Sequence, residues 1–326
     1  MFPETRLRRL RRTEGLRKMM GQPLPGPEKF IWPVFLREGH GIDEPIQAMP
    51  GQSRMSPDRL LHRLEPVVQS GVGGVLLFGL TDCDKKDATG SEAYNERGAV
   101  QSAIPLIKKA FPHLTVFTDV CLCAYTDHGH CGPLHSAGDV DNDFTLHLLQ
   151  KVALSHASVG ADCVAPSGMM DGQVRAIREA LDDAQLIDTL IMSYSTKFAS
   201  SLYGPFREAE KSAPGKGDRK GYQLPYNDLR QSLRESKQDE AEGADILMVK
   251  PALMYLDVLS QLRQSTDLPL AAYNVSGEYS MLIAQADRGW GDLKSMIREN
   301  IAAMQRAGTD LFISYWANHY TEFLKD

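Results

Sequence analysis

The chain has 326 residues, of which 42% are hydrophobic and 24% charged, ordinary values for a globular protein. Its net charge of −6 is unevenly distributed: residues 1–18 carry seven basic and two acidic side chains, so the rest of the chain carries −11. A body this acidic excludes non-specific nucleic-acid binding and leaves the basic head as the only candidate for that role. The length fits two domains of about 150 residues, or one α/β barrel with extensions.

The sequence also gives expectations about the cellular compartment of the protein. No run approaches the ~18 consecutive apolar residues of a membrane span, so we expect no membrane partner. The N-terminus is charged where a secretory signal would place its apolar segment, which predicts a cytoplasmic protein. Five cysteines are too few for a disulfide framework in a chain of this length, and we expect thiols or metal ligands.

Residues 1–29 precede the first predicted strand and are rich in arginine, proline and glycine. This composition predicts an extended arm and not a separate domain. Residues 30–326 are then expected to form one body.

Eight short apolar runs recur between helix-like segments. They span 30–36, 72–80, 114–120, 161–165, 190–195, 245–249, 268–274 and 310–315. Uninterrupted apolar runs are typical of parallel strands covered by helices on both faces.

Helical periodicity occurs between these runs, most clearly at 141–160, 227–243, 254–263 and 290–308. The second of these segments begins with a capping-type Asn227 and stops at Gly243. Eight strands alternating with helices predict a (β/α)8 TIM barrel, with an open eight-stranded sheet as the alternative.

Residues 204–227 contain glycine, proline and charged residues without an apolar period, and a loop of this length is often a lid. Its basic side chains are Arg207, Lys211, Lys216, Arg219 and Lys220. Any one of them is more commonly a solvated surface charge. Arginines above an active site, however, suit a substrate carboxylate, which guanidinium binds through two hydrogen bonds.

The active site of such a barrel lies at the carboxyl ends of its strands. Two lysines, Lys197 and Lys250, end successive strands there. A lysine in apolar surroundings near a second cation has a lowered pKa, and its neutral amine can form a Schiff base with a ketone. The alternative is that each lysine pairs with a carboxylate or reaches solvent. For a single strand-end lysine this alternative is the commoner outcome, but two such lysines on successive strands make the two interpretations about equal.

A cluster of thiols and imidazoles directly follows the third strand. Its members are Cys121, Cys123, His128, His130 and Cys131. Thiolates spaced C-x-C-x7-C can converge on one soft metal, usually Zn²⁺, and three protein ligands leave a fourth position for water or substrate. The alternative is a loop with three reduced thiols. Cys83 and Cys163 are expected to be bystanders.

Together these motifs resemble those of the porphobilinogen synthase (5-aminolevulinate dehydratase) family. The resemblance runs from about Arg6 to the end of the chain. It rests on DVCLCAYTDHGHCG at 119–132, APSGMMDG at 165–172, YSTKFAS at 194–200, GPFR at 204–207, GDRK at 217–220, MVKP at 248–251 and VSGE at 275–278.

The resemblance implies a hydro-lyase that condenses two 5-aminolevulinate molecules asymmetrically to porphobilinogen, with loss of two waters, in tetrapyrrole (haem) biosynthesis. Lys250 would form a Schiff base with one substrate molecule and Lys197 would hold the other. The implied substrate-binding residues are Arg207, Arg219 and Gln223 for one carboxylate, Ser276 and Tyr315 for the other, and Asp119 and Ser167 in the pocket. Cys121, Cys123 and Cys131 would bind the active-site zinc.

The resemblance also implies an allosteric Mg²⁺ near Glu235 and a homo-octamer assembled through the N-terminal arms. On the sequence alone, Glu235 is a helix-surface carboxylate. Some family members have a cysteine where this chain has Gly221, so a second zinc site that uses that position is not supported.

Two other functions compete with this interpretation. One is a different lysine-dependent barrel enzyme, such as an aldolase, which would not need the cysteine loop. The other is a non-enzymatic protein that binds zinc, or binds RNA through the basic head.

Overall fold

The computed structural model describes residues 2–210, 212, 215 and 217–325. The predicted lid residues Lys211 and Lys216 lie outside the described residues, as do the first residue of the arm and the last residue of the body. The division into an arm at 1–29 and a body at 30–326 stays a prediction.

Eight parallel strands close into a barrel, as the sequence predicts. They are β1 (Phe30–Arg37), β4 (Gly74–Leu80), β5 (Thr115–Val120), β6 (Cys163–Pro166), β7 (Leu190–Lys197), β8 (Ile246–Lys250), β9 (Leu270–Asn274) and β10 (Leu311–Ser314). Each strand pairs in parallel with the next, and β10 pairs with β1 to complete the ring. The open-sheet alternative is therefore wrong.

The strands are apolar along their whole length because both faces are covered. Every residue of β4, β8 and β9 is buried. One face of each strand packs into the barrel interior and the other packs under the helices, so the sequence shows continuous apolar runs and no alternation.

The helices of the described chain lie between and after the strands, except for α1, which precedes β1. They are α1 (Glu14–Met20), α2 (Pro57–Gln69), α3 (Ala99–Ala110), α4 (Asn142–Ala157), α5 (Gln173–Asp183), α6 (Gly204–Glu210), α7 (Leu229–Ala241), α8 (Leu256–Arg263), α9 (Ser276–Asp287), α10 (Leu293–Arg306) and α11 (Tyr320–Phe323). Short 3-10 helices lie at Leu7–Arg11, Pro27–Lys29, Cys83–Lys85, Ser91–Tyr94, Ser201–Tyr203, Leu253–Tyr255 and Tyr315–His319.

The predicted cap of α7 is wrong by one residue. Asp228, not Asn227, is the N-cap, and its carboxylate accepts hydrogen bonds from the backbone N–H groups of Arg230 and Gln231. Both residue types cap helices well, so the pattern alone does not choose between neighbours. The beginning of the predicted lid loop is also different, because residues 204–210 form helix α6.

Two strands have no counterpart in the sequence prediction. β2 (Asp43–Pro45) and β3 (Ser53–Met55) form an antiparallel pair after β1, and β3 also pairs in parallel with the end of β1. They are three residues long and partly exposed, so they lack the apolar run that marks the barrel strands.

The described part of the arm is not fully extended, since it contains the first 3-10 helix and α1. Several apolar side chains near its beginning are exposed, with Phe2 95% exposed, Leu7 72% and Met19 77%, whereas Leu24 packs against the core. The end of the arm is hydrogen-bonded to the body. The side chains of Gln305 and Tyr320 donate to the backbone carbonyls of Pro23 and Pro25. Among the described residues no helix is both long and apolar enough to cross a membrane.

Candidate active site

Lys197 and Lys250 lie opposite each other at the carboxyl ends of β7 and β8. Their alignment depends on an irregularity in β7. Ser193 pairs with Leu247 but Thr196 pairs with Val249, so β7 contains one additional residue in this interval. A bulge of this kind redirects the side chains that follow it, and here it brings both lysines to the same register position.

The amine of Lys250 is surrounded by aromatic rings. Its Nζ lies 4.2 Å from the ring centroid of Tyr273, 4.7 Å from Phe206 and 5.0 Å from Tyr194. The side chain is 3% exposed. Burial, and then the positive charge of Lys197, lower the pKa of Lys250 to about 7. A large share of its amine is therefore neutral near pH 7.

Lys197 is held by a backbone carbonyl. Its Nζ donates a 2.6 Å hydrogen bond to the carbonyl oxygen of Ser167, whose own N–H donates to the carbonyl of Val120. Ser167 thus contacts Lys197 through its main chain.

Asp119, at the end of β5, has a pKa raised to about 6 by burial, although the charge of Lys197 counteracts the rise. Its Oδ1 finds no hydrogen-bond partner among the described residues.

The three predicted thiols converge at the end of β5. The Sγ atoms of Cys121, Cys123 and Cys131 all lie within 4.8 Å of one another, and all three side chains are buried. Cys121 and Cys123 are 3.4 Å apart, sulfur to sulfur. Hydrogen bonds from the other two thiols, and then the charges of Arg219 and Lys197, lower the pKa of Cys131. This set of buried, closely spaced thiols could hold a metal ion.

The two lid arginines and Gln223 bring unpartnered polar atoms to the site. Arg219 is buried and donates to the carbonyls of Gly129 and Ser212, but its Nε has no partner among the described residues. The same holds for the Nε of Arg207 and for both side-chain amide atoms of Gln223. Burial, and then the charge of Arg219, lower the pKa of Arg207. Buried polar atoms of this kind normally have partners, so the cluster suits a polar ligand.

Lys220 behaves differently from the two arginines. Its side chain is exposed and lies 3.4 Å from the exposed carboxylate of Asp218. It is a solvated surface charge.

Ser276 and Tyr315 lie just beyond the carboxyl ends of β9 and β10, where they begin α9 and the last 3-10 helix. The Ser276 hydroxyl accepts a hydrogen bond from the Phe206 N–H of α6, and the Tyr315 hydroxyl is 3.2 Å from that of Tyr273. Both side chains are buried. In this structure Ser276 therefore anchors the beginning of the lid helix.

Glu235 lies apart from the lysines, on α7. It lines a cleft of about 1030 Å³ together with Asp171, Gln223 and residues of the lid. Burial, and then the charge of Asp171, raise the pKa of Glu235. Gln223, which the resemblance groups with Arg207 and Arg219, also lines this cleft.

Sequence reasoning missed the aromatic residues around Lys250 and the carboxylate of Glu210. Tyr194 and Tyr273 are strand residues whose inward direction could have been read only after the register was known. Glu210 is 4% exposed, and its Oε2 lies 3.7 Å from the sulfur of Cys123. No signal in the charged stretch around it distinguishes it from a surface residue.

Comparison with known proteins gives consistent results. A family model described as delta-aminolevulinic acid dehydratase matches residues 4–323. A delta-aminolevulinic acid dehydratase of Synechococcus elongatus is 47% identical over 327 residues, covering 99% of this chain and 100% of the relative. One from Helicobacter pylori is 49% identical over 321 residues, covering 98% of each.

A solved structure agrees with these relatives. The delta-aminolevulinic acid dehydratase (porphobilinogen synthase) of Toxoplasma gondii, in complex with the reaction product porphobilinogen, superimposes with a TM-score of 0.94 at 42% identity. The match covers 97% of this chain and 90% of that one.

Proposed function

The chain belongs to the delta-aminolevulinic acid dehydratase family, and we propose that it condenses two molecules of 5-aminolevulinate to porphobilinogen with loss of two waters. The observation that carries this proposal is the pair of buried lysines at one register position, beside three converging thiols. A lysine-dependent aldolase would have no use for the thiols.

Lys250 is proposed as the nucleophile. Its neutral amine attacks the ketone carbon of one substrate molecule, the carbonyl oxygen leaves as water, and the resulting iminium draws electrons from the neighbouring carbon. The rings of Tyr273, Phe206 and Tyr194 keep water away from this amine and so hold its pKa down. Asp119 would accept a proton in this step, a role supported by the charge of the nearby Lys197 and by its unpartnered oxygen.

Lys197 is proposed to hold the second substrate molecule. Its amine donates to the Ser167 carbonyl and lies on the neighbouring strand at the level of Lys250. Two substrates attached at these positions would be brought together by the barrel itself, which removes much of the entropic cost of a bimolecular condensation.

The substrate carboxylates are proposed to bind at two places. Arg207, Arg219 and Gln223 offer unpartnered buried donors for one of them. Ser276 and Tyr315 would serve the other. The Ser276 hydroxyl would donate to the carboxylate in place of the Leu202 carbonyl while still accepting from the Phe206 N–H.

The donor set of the cysteine cluster fits Zn²⁺. Cys121, Cys123 and Cys131 are soft ligands, and the charges of Arg219 and Lys197 help to offset their negative charge as thiolates. When bound there, zinc would polarise a substrate oxygen as a Lewis acid. The three protein ligands leave one coordination position open.

Glu235 and the N-terminal arm are proposed to serve regulation and assembly. Glu235 and Asp171 line one cleft and would supply carboxylate oxygens to an allosteric Mg²⁺. The exposed apolar side chains of the arm would be covered by a neighbouring subunit in a homo-octamer.

Borohydride trapping tests the central proposal. Reduction in the presence of 5-aminolevulinate should attach substrate to Lys250, and Lys250→Met should lose that adduct and nearly all activity. Peptide mass mapping identifies the modified residue. If substrate is attached to neither Lys250 nor Lys197, the mechanism is wrong.

Metal removal tests the two metal sites together. Treatment with a chelator should abolish turnover, and Zn²⁺ should restore it in both the wild type and Glu235→Ala. Added Mg²⁺ should then stimulate the wild type only. Full recovery with Mg²⁺ alone would contradict the thiolate–zinc assignment, and an unchanged Mg²⁺ response in Glu235→Ala would contradict the allosteric site.

A further inference from the structure

Glu210 is an acidic residue of the lid that is turned toward the thiols. It ends α6, and its Oε2 lies 3.7 Å from the sulfur of Cys123 and 2.9 Å from the hydroxyl of Ser212. Glu208, two residues earlier on the same helix, is exposed and accepts a hydrogen bond from the backbone N–H of Ala48. One helix therefore carries a surface carboxylate and a buried one.

The position of Glu210 is fixed from outside the lid. Arg54, on β3, donates hydrogen bonds of 2.7 and 2.8 Å to the carbonyls of Ala209 and Glu208, the two residues before Glu210. At the other end of the helix, the Phe206 N–H donates to the Ser276 hydroxyl. The carboxylate is thus held at the thiols by packing at both ends of α6.

No basic side chain among the described residues forms an ion pair with Glu210. Arg219, whose charge acts on Glu210, directs its hydrogen bonds to the carbonyls of Gly129 and Ser212, and Arg54 directs its own to the carbonyls of Ala209 and Glu208. The Oε2 atom of Glu210 accepts hydrogen bonds from the Cys123 thiol and the Ser212 hydroxyl. When Cys123 loses its proton to bind a metal, the thiol hydrogen bond is lost and the buried carboxylate faces negatively charged sulfur, which is costly unless a cation lies between them. The arrangement therefore calls for a positive charge between the carboxylate and the sulfurs.

The distances suit one shared ion. Zinc lies about 2.3 Å from sulfur and about 2.0–2.2 Å from a carboxylate oxygen, so a tetrahedral site separates sulfur and oxygen by roughly 3.5 Å. The Glu210–Cys123 separation is 3.7 Å, and the Cys121–Cys123 separation is 3.4 Å.

We propose that Glu210 is the fourth ligand of the metal bound by Cys121, Cys123 and Cys131, supplied by the lid and exchanged for a substrate oxygen during turnover. This inference rests on the metal site of the proposed function. The open coordination position is then closed by the lid before substrate arrives, and the metal couples substrate binding to the end of α6.

Cobalt substitution tests the assignment, because Co²⁺ absorbs visibly and its spectrum reports its ligands. The proteins are full-length wild type, Glu210→Gln, Glu208→Gln and Ser212→Ala. Glu210→Gln should change the d–d bands and weaken Co²⁺ binding at least about 10-fold, as loss of even indirect metal contacts commonly does. Glu208→Gln, the control on the same helix, should match the wild type.

Ser212→Ala separates ligation from a structural role. It removes the hydrogen bond to Glu210 but leaves the carboxylate, so it should keep the wild-type bands. If Glu210→Gln matches the wild type in spectrum and affinity, or if Ser212→Ala reproduces its changes, the carboxylate is not a ligand and the inference is wrong.

The same spectra separate this inference from the proposed function. The wild type should show an intense thiolate-to-cobalt band that disappears when the three cysteines are replaced by serine. If the band is absent from the wild type, the metal site itself is wrong and the inference falls with it. If the thiolate-to-cobalt band is present and Glu210→Gln leaves the cobalt spectrum unchanged, the metal site is supported and only the role of Glu210 is refuted.

Discussion

At the scale of single residues, the reactivity proposed for Lys250 follows from where its amine is buried. Nearby rings replace the water that would stabilise an ammonium ion, and the positive charge of Lys197 adds to the effect. Asp119 and Glu210 raise the pKa of Lys250, since their negative charges favour its protonated form. The pKa of about 7 is the balance of these influences.

This balance predicts the pH dependence of the enzyme. With a pKa of about 7, Lys250 is protonated and not nucleophilic at lower pH, so kcat/KM should fall about tenfold per pH unit below pH 7 and level off above it. Asp119→Asn removes a charge that raises this pKa and should move the acid limb to lower pH. Activity profiles between pH 5.5 and 9 measure both. A flat profile down to pH 5.5, or a limb in Asp119→Asn displaced to higher pH, would contradict this account.

At the scale of elements, the site depends on how the lid helix is seated on the barrel. The 3-10 helix Ser201–Tyr203 leads into α6 and packs against the start of α9. The contact requires glycine at 277, because a Cβ there would lie 2.4 Å from the Leu202 carbonyl oxygen and 2.8 Å from its Cα. Both atoms belong to the backbone of Leu202, and displacing it would cost free energy of folding.

Gly277→Ala should therefore displace the base of the lid. We expect a loss of about 1–3 kcal/mol in stability from the overpacking, and at least a 10-fold loss in kcat/KM from misplacement of α6. Thermal unfolding and steady-state kinetics measure the two effects. Gly204→Ala is the control, since Gly204 begins α6 in a helical conformation with nothing within 4 Å of the added Cβ. Equal behaviour of the two variants would mean that the close contact is unimportant.

At the scale of the whole molecule, the arm combines a net positive charge with exposed apolar side chains. Residues 1–18 carry a net charge of +5 on a body of −11. Phe2, Leu7 and Met19 are more than two-thirds exposed in the single chain. A basic, apolar arm of this kind suits an acidic surface on another copy of the chain, which agrees with the proposed octamer.

Deletion of residues 1–18 should reduce the size of the assembly. The truncated protein loses the apolar contacts and the charge attraction, so its molar mass by light scattering should fall to a smaller multiple of the subunit mass. The full-length protein, measured at the same concentration, is the reference. An unchanged multiple after the deletion would refute the arm's role in assembly.

The sequence by itself determined the barrel and the convergence of three thiols at its mouth, and it predicted the roles of the lysines there. Continuous apolar runs can be recognised locally, and Lys197 and Lys250 end two of them. Cys121, Cys123 and Cys131 lie within eleven residues, so their convergence also depends on short-range geometry. The sequence predicted the N-cap of α7 at Asn227, one residue before the observed Asp228, because adjacent Asn and Asp residues cap equally well.

Only the tertiary structure decided which side chains meet across the barrel. The additional residue in β7 sets the level of Lys197 against Lys250, and a bulge leaves no mark in an apolar run. Glu208 and Glu210 look alike in sequence, yet Arg54 and Ser276 seat α6 so that one faces solvent and the other faces the thiols. Local patterns depend on the period of a single element, whereas these contacts depend on packing between elements far apart in the chain.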